Sequence, residues 1–163
     1  MNLRRAQRSD LDLLRYWDRK PHVVAAGGDD DWWDWPTELA RDVVWQELLI
    51  AEEGGRPIGF LQIIDPAREE THYWGDVETN LRAIDIWIGE EADLGRGYGT
   101  RMMDLALARC FADAAVTAVL LDPLVANRRA HRFYERLGFK RIERRRFETD
   151  DCYVYRLQRA DWC

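Results

Sequence analysis

The chain has 163 residues, of which 47% are hydrophobic and 12% aromatic, with 24 Lys and Arg set against 30 Asp and Glu. This is enough for one globular domain with a full core, short for two, and too rich in evenly spread apolar residues for a disordered chain. No apolar run approaches the roughly 20 residues that cross a bilayer, and the basic start from Met1 to Arg8 lacks the apolar stretch of a secretory signal, so neither membrane spanning nor secretion is expected. Cys110, Cys152 and Cys163 are odd in number and form no CxxC pair, which reads as reduced thiols and a cytoplasmic location.

In chain order, Met1 to Ala6 is predicted as a first strand. Ser9 as N-cap, with Leu11, Leu14 and Trp17 at helical spacing, predicts a helix that Pro21 ends. An acidic aromatic loop follows, and Thr37 is expected to cap a second helix that turns Leu39, Val43 and Leu48 inward. Ile50 to Glu53 and Ile58 to Ile64 flank Gly54-Gly55 and predict a β-hairpin. Residues 65–81 read as a long polar connection. Arg82 to Gly89 is a predicted strand with Ile84, Ile86 and Ile88 on one face and Asp85 and Trp87 on the other. A helix is predicted over Gly97 to Ala112, a buried strand over Val116 to Leu121, and a helix over Asn127 to Leu137 ended by Gly138. Two final strands are expected around Thr149-Asp150-Asp151. The predicted order β-α-α-β-β-β-α-β-α-β-β implies a mixed sheet with helices on its faces, an α/β (α+β) fold in one domain over residues 1–163.

Charge is divided along the chain. Residues 1–93 hold 21 acids and 10 bases, whereas residues 94–163 hold 9 acids and 14 bases. The densest acidic block, Asp29, Asp30, Asp31 and Asp34 with Trp32, Trp33 and Trp35, lies in a loop bounded by glycine and proline; Glu69, Glu70, Tyr73, Trp74, Asp76 and Glu78 form a second acidic aromatic group. Carboxylates attract a polyamine over distance, and indole faces stack on sugar rings or hold ammonium groups. The two loops are therefore expected to face each other across a cleft for a cation, with Trp45 and Trp87 as structural indoles. The bases Arg128, Arg129, Arg132, Arg136, Lys140, Arg141 and Arg144 to Arg146 form no sustained cluster, so no nucleic-acid partner is expected. His22, His72 and His131 stand apart and no metal site is expected.

Leu94-Gly95-Arg96-Gly97-Tyr98-Gly99-Thr100 sits between a predicted strand and a predicted helix. Alternating glycines let several backbone N–H groups converge at the positive end of a helix dipole, which suits a diphosphate; a tight turn alone is the simpler reading. Leu94-x-x-Gly97-x-Gly99, followed by a helix, an apolar strand and Asn127-Arg128-Arg129-Ala130-x-x-Phe133-Tyr134-Glu135-Arg136-Leu137-Gly138-Phe139, resembles the GCN5-related N-acetyltransferases. HVV at 22–24, RPIGFLQ at 56–62, RAID at 82–85 and LLDP at 120–123 narrow the resemblance to the aminoglycoside 6'-N-acetyltransferases.

That resemblance implies acetyl-CoA as co-substrate, held by Ile86, Trp87, Ile88, Leu94, Gly95, Arg96, Gly97, Tyr98, Gly99, Thr100, Asn127 and Ala130. It implies transfer to the 6'-amine of an aminoglycoside by direct attack. Asp85 is placed to accept the amine's proton, Asp122 to share that work or to bind the acceptor, and Tyr134 to protonate the departing thiolate. Asp29, Asp31, Trp32, Trp33, Asp34, Glu70, Tyr73, Trp74 and Asp76 would join Asp85 and Asp122 in holding the acceptor. Read from the residues alone, Asp85 also suits a structural carboxylate, Asp122 a turn before Pro123, Tyr134 a core position and Asn127 a helix cap. Acetylation of another small amine, such as a siderophore precursor or a polyamine, and a non-catalytic acyl-CoA or antibiotic binding module stay open, as do monomer and homodimer.

Overall fold

In the computed structural model, which describes residues 1–27 and 33–163, seven strands make one mixed sheet in the order β1-β2-β3-β4-β5-β7-β6. They are β1 (Asn2–Arg5), β2 (Gln46–Glu53), β3 (Arg56–Ile64), β4 (Leu81–Ile88), β5 (Ala118–Leu121), β6 (Lys140–Phe147) and β7 (Asp150–Gln158). The helices are α1 (Leu11–Asp18), α2 (Pro21–Gly27), α3 (Trp35–Ala40), α4 (Tyr98–Phe111) and α5 (Arg128–Arg136). β4 and β5 are parallel, because α4 carries the chain back over the sheet between them, and the other neighbours are antiparallel. Among the described residues no helix is long and apolar enough to cross a membrane.

Period-2 alternation sorts the strands onto two faces. Leu49, Ala51, Leu61, Ile63 and Ile84 bury against Met102, Met103, Ala106 and Leu107 of α4, and Tyr134 of α5 joins the same core. On the opposite face Leu48, Ile50 and Phe60 pack on Leu14, Trp17 and Trp35 from α1 and α3. The β5–β7 end of that face is covered by Trp45, Trp74 and Phe147 instead of a helix. Burial of a side chain as large as Trp17 or Phe60 contributes about 1.5–3 kcal/mol, so these three clusters supply most of the drive for folding. Cys110 sits inside the α4 core, and desolvation pushes its thiol up to about 12, which makes it inert.

The structure departs from the sequence expectations where local signals compete. Pro21 starts a helix, α2, where an end was expected, because its missing N–H falls in a first turn that has no partner for it. The observed order thus contains one more helix, β-α-α-α-β-β-β-α-β-α-β-β. Ser9 does not cap α1. A 3-10 turn, Arg8–Asp10, precedes it and is closed by Asp10, which accepts from the Gln7 N–H at 2.7 Å and is clamped by both Arg4 Nη atoms at 2.8 Å. α3 ends at Ala40, so Leu48 reaches the core from β2, and the cap is Asp34, which accepts from the Thr37 hydroxyl at 2.7 Å. The last hairpin turns at Glu148-Thr149, one residue before the expected turn.

One close approach fixes how α1 meets the sheet. A Cβ built on Gly89, just beyond β4, would lie 2.0 Å from Cε2 of Trp17, whose ring is 1% exposed and cannot retreat. Gly89→Ala is expected to destabilise the protein by about 1–3 kcal/mol, read as a lower denaturation midpoint in urea with an unchanged slope.

Candidate active site

β4 pairs with β5 only at Leu81–Ala118, Arg82–Val119 and Ala83–Leu120, although β4 continues to Ile88. On its other edge β4 stays paired with β3 from Ala83 to Ile88. The two parallel strands therefore part after three residues, and a cleft of about 370 Å³ opens over the gap. Its walls include Ile84, Asp85, Ile86 and Trp87 of β4, Leu121 and Asp122 at the end of β5, and Asn127 and Tyr134 of the α5 segment.

Asp85 lies two residues past the parting. Its carboxylate meets the water of the cleft and has protein on its remaining sides; that desolvation raises its pKa above the ordinary carboxylate value, against a hydrogen bond from Gln62 Nε2 at 2.7 Å that lowers it. Asp122 accepts a hydrogen bond from the Tyr73 hydroxyl at 2.6 Å. Tyr134 is 8% exposed, and burial, then the charges of Asp85 and Asp122, push its phenol well above its ordinary value of 10.0. Two carboxylates and one firmly protonated phenol thus converge on one space. Such a set can hold an ammonium group, take a proton from it and give a proton back.

Beyond β4 a short 3-10 turn, Glu91–Asp93, leads into the glycine-rich segment. Gly95 and Gly97 adopt φ of 72° and 81°, a region open to glycine, and Gly97 caps α4 so that its first N–H groups face outward. Asp93 anchors this turn: it is 3% exposed, receives Arg56 at 2.8 and 3.0 Å, and receives Arg96 at 3.3 Å. Arg129 reaches over from α5 toward Gly95. Asn127 caps α5, accepting from the Ala130 N–H at 3.1 Å, and also lines the cleft. The arrangement is a cradle of free N–H groups next to an open strand edge, which fits a diphosphate joined to an extended amide chain.

The expected acceptor loops are only partly realised. Asp29, Asp30, Asp31 and Trp32 lie outside the described residues. Trp33, Tyr73 and Trp74 line the one cleft together. Trp33 stacks on Trp35 at 4.6 Å and leans on Trp87, while Trp74 is 3% exposed and belongs as much to the core as to the wall. Asp34 is the α3 cap, with both of its oxygens bound to Thr37, and lies outside the cleft lining. Glu70 and Asp76 point to bulk solvent outside the lining, and the carboxylate that enters from this loop is Glu69, which also closes its own turn through the N–H groups of Thr71 and Tyr73. Sequence reading missed Glu38, Arg41, Gln46 and Gln62, all of which line the cleft. Gln62 was within reach of the strand pattern, since it sits directly across from Asp85 in the β3–β4 register; the others depend on where α3 ends.

A family model described as an acetyltransferase (GNAT) domain matches residues 6–147. An aminoglycoside N(6')-acetyltransferase type 1 of Klebsiella pneumoniae is 29% identical, covering 86% of this chain and 74% of that protein. The lysine N-acyltransferase MbtK of Mycobacterium tuberculosis is 26% identical, covering 85% and 68%. Among solved structures, aminoglycoside acetyltransferase AAC(6')-Ib in complex with coenzyme A matches with a TM-score of 0.86 at 27% identity, over 98% of this chain and 95% of that one. The same enzyme in complex with coenzyme A and kanamycin matches with a TM-score of 0.85 at 26% identity and the same coverage.

Asp93 offers a direct check on the anchor of the glycine turn. Arg56, first, and Arg96 hold its pKa below the ordinary carboxylate value, so its stabilising contribution is complete above about pH 4 and fades as the pH falls below that. Asp93→Asn is expected to lower the melting temperature clearly at pH 7, with the gap to the wild type closing toward pH 3 in thermal denaturation followed by circular dichroism.

Proposed function

Because the chain belongs to the acetyltransferase (GNAT) family, we propose that it transfers an acetyl group from acetyl-CoA to the 6'-amine of an aminoglycoside in a ternary complex. The observation that carries this reading is the convergence of Asp85, Asp122 and Tyr134 on one cleft at the parting of β4 and β5. The relatives that act on aminoglycosides support the acceptor.

Acetyl-CoA supplies the acyl group already activated as a thioester. The N–H groups of the Gly95–Thr100 segment and the start of α4 suit its diphosphate, with Leu94, Arg96 and Tyr98 beside them, and the open edge of Ile86, Trp87 and Ile88 offers backbone partners to its amide arm. Asn127 and Ala130 stand where that arm passes α5.

The acceptor's amine is an ammonium group at neutral pH and must lose a proton before it can attack. Asp85 takes that proton: it faces the cleft, and its raised pKa makes it a stronger base than an ordinary aspartate. Asp122, held by Tyr73, orients the same ammonium group. Tyr134 keeps its proton through the neutral range and gives it to the thiolate as the carbon–sulfur bond breaks. Two protons leave the nitrogen, the first to Asp85 before attack and the second as the amide forms; one replaces the Tyr134 proton delivered to sulfur and the other passes to solvent. Trp33, Tyr73 and Trp87, the last lining the cleft where a purely structural indole was expected, offer flat faces to sugar rings, and Glu69 adds negative charge for further ammonium groups. A cytoplasmic site of action, where acetyl-CoA is available, agrees with three free thiols.

Purified protein with acetyl-CoA and kanamycin or tobramycin is expected to release free thiol and to yield an antibiotic acetylated on the 6'-nitrogen by NMR. Turnover of lysine-type or polyamine acceptors with every aminoglycoside inert would move the assignment to the chemistry of the lysine N-acyltransferase relative. Asp85→Asn and Tyr134→Phe are each expected to lower kcat roughly 10²-fold or more. In the wild type kcat/KM falls as the pH drops through the Asp85 pKa, so its acid limb should lie above the ordinary aspartate value of 3.8.

A further inference from the structure

The hydrogen bonds at Asp85 continue away from the cleft floor. Gln62 Nε2 donates to Asp85 Oδ2 at 2.7 Å, Gln62 Oε1 accepts from Gln46 Nε2 at 2.7 Å, and the same Gln46 amino group donates to Glu38 Oε2 at 2.9 Å. Arg41, at the C-terminal cap of α3, closes the far end 3.5 Å from Glu38 Oε1. The chain crosses β4, β3 and β2 on one face of the sheet and ends on α3.

Its direction is set by chemistry. An ionised carboxylate only accepts, whereas an amide has one donating and one accepting end. With carboxylates at both ends, Gln62 must turn its amino group to Asp85 and its carbonyl to Gln46. Gln46 must then spend both of its amino hydrogens, one on Gln62 and one on Glu38. Without the Gln46 donor, Gln62 is free to turn its carbonyl toward Asp85, an orientation that suits only the protonated carboxyl.

We propose that Glu38, Gln46 and Gln62 form a positioning chain that holds Asp85 ionised and aimed into the cleft. Its catalytic consequence rests on the acetyl-transfer reading, with Asp85 as the group that touches the acceptor and the other three acting through it. The remaining titratable groups that bear on Asp85 are Tyr134 from α5, Tyr73 from the connection between β3 and β4, and Asp122 just beyond β5. Both phenols stay protonated and neutral in the working range, and Asp122 adds like charge. The Gln62 donor therefore opposes the effect of enclosure.

The test is a titration of Asp85 that needs no turnover. With aspartate carboxyl carbons labelled with ¹³C and the Asp85 resonance identified by its loss in Asp85→Asn, Gln62→Leu is expected to raise the Asp85 midpoint by about one unit. Gln46→Leu is expected to raise it by less, although Gln46 does not touch Asp85. Gln46→Glu, which keeps the shape of the side chain and removes its donor hydrogens, moves it the same way. A midpoint in both Gln46 variants equal to that of the wild type overturns the proposal, whatever Gln62→Leu does. Where acetyl transfer is followed in parallel, the acid limb of kcat/KM shifts with the NMR midpoint. Shifts in the titration combined with no acetyl transfer by the wild type would sink the functional reading and leave the positioning chain standing.

Discussion

Two parallel strands that pair for only three residues and then part impose most of what matters in this molecule. β4 and β5 can be parallel only because α4 carries the chain across the sheet between them, and that crossover places the N-terminus of α4 beside the end of β4. Where the strands separate, the backbone of Ile84 to Ile88 has no strand on one side, and the ends of both strands face the opening. Asp85 and Asp122 stand on either lip of it. Tyr134 reaches the same space from α5, which follows β5 after a short connection and whose C-terminus is fixed by Gly138 at φ 91° with the Phe139 N–H bonded back to the Tyr134 carbonyl. A register in which β4 and β5 paired along their whole length would seal the gap and bury two carboxylates without purpose.

The division of charge along the sequence takes a different meaning in three dimensions. Many of the acids of the first 93 residues are spent on structure: Asp10 clamps Arg4, Asp34 caps α3, and Asp93 holds Arg56 and Arg96. The negative field inside the cleft comes from Asp85 and Asp122 with Glu38, Glu69 and Asp150. The bases of the later half are similarly divided. Arg144 and Arg156 are bound to Asp151 and Glu78, and Arg141 lies 3.8 Å over the ring of Tyr153. Arg129, by contrast, reaches toward the glycine turn. Charge along the sequence thus pointed to a cationic acceptor for a reason that only a few of the counted residues embody.

Local chemistry was enough to read the elements whose signals act over a few residues. The alternation at Ile84, Ile86 and Ile88, the glycines of 95–99, and the Asn127 cap with its Gly138 stop all appear in the structure where the chain pattern put them, because strand parity, positive φ and capping are decided by neighbours in sequence. The same patterns failed at Pro21 and Thr37, where two plausible local readings compete and tertiary contact chooses. Val23 and Trp35 gain burial only in the geometry actually formed.

By itself the sequence determined a mixed α/β fold, the strand that bears Asp85, the glycine turn and the helix that bears Tyr134. Tertiary structure alone decided how far β4 follows β5, which of the acidic and aromatic side chains enter the cleft, and that Glu38, Gln46 and Gln62 connect to Asp85. The reason is separation along the chain: Gln46, Gln62 and Asp85 are 16 and 23 residues apart, and strand register and helix placement, which sequence spacing does not encode, bring them within hydrogen-bonding distance.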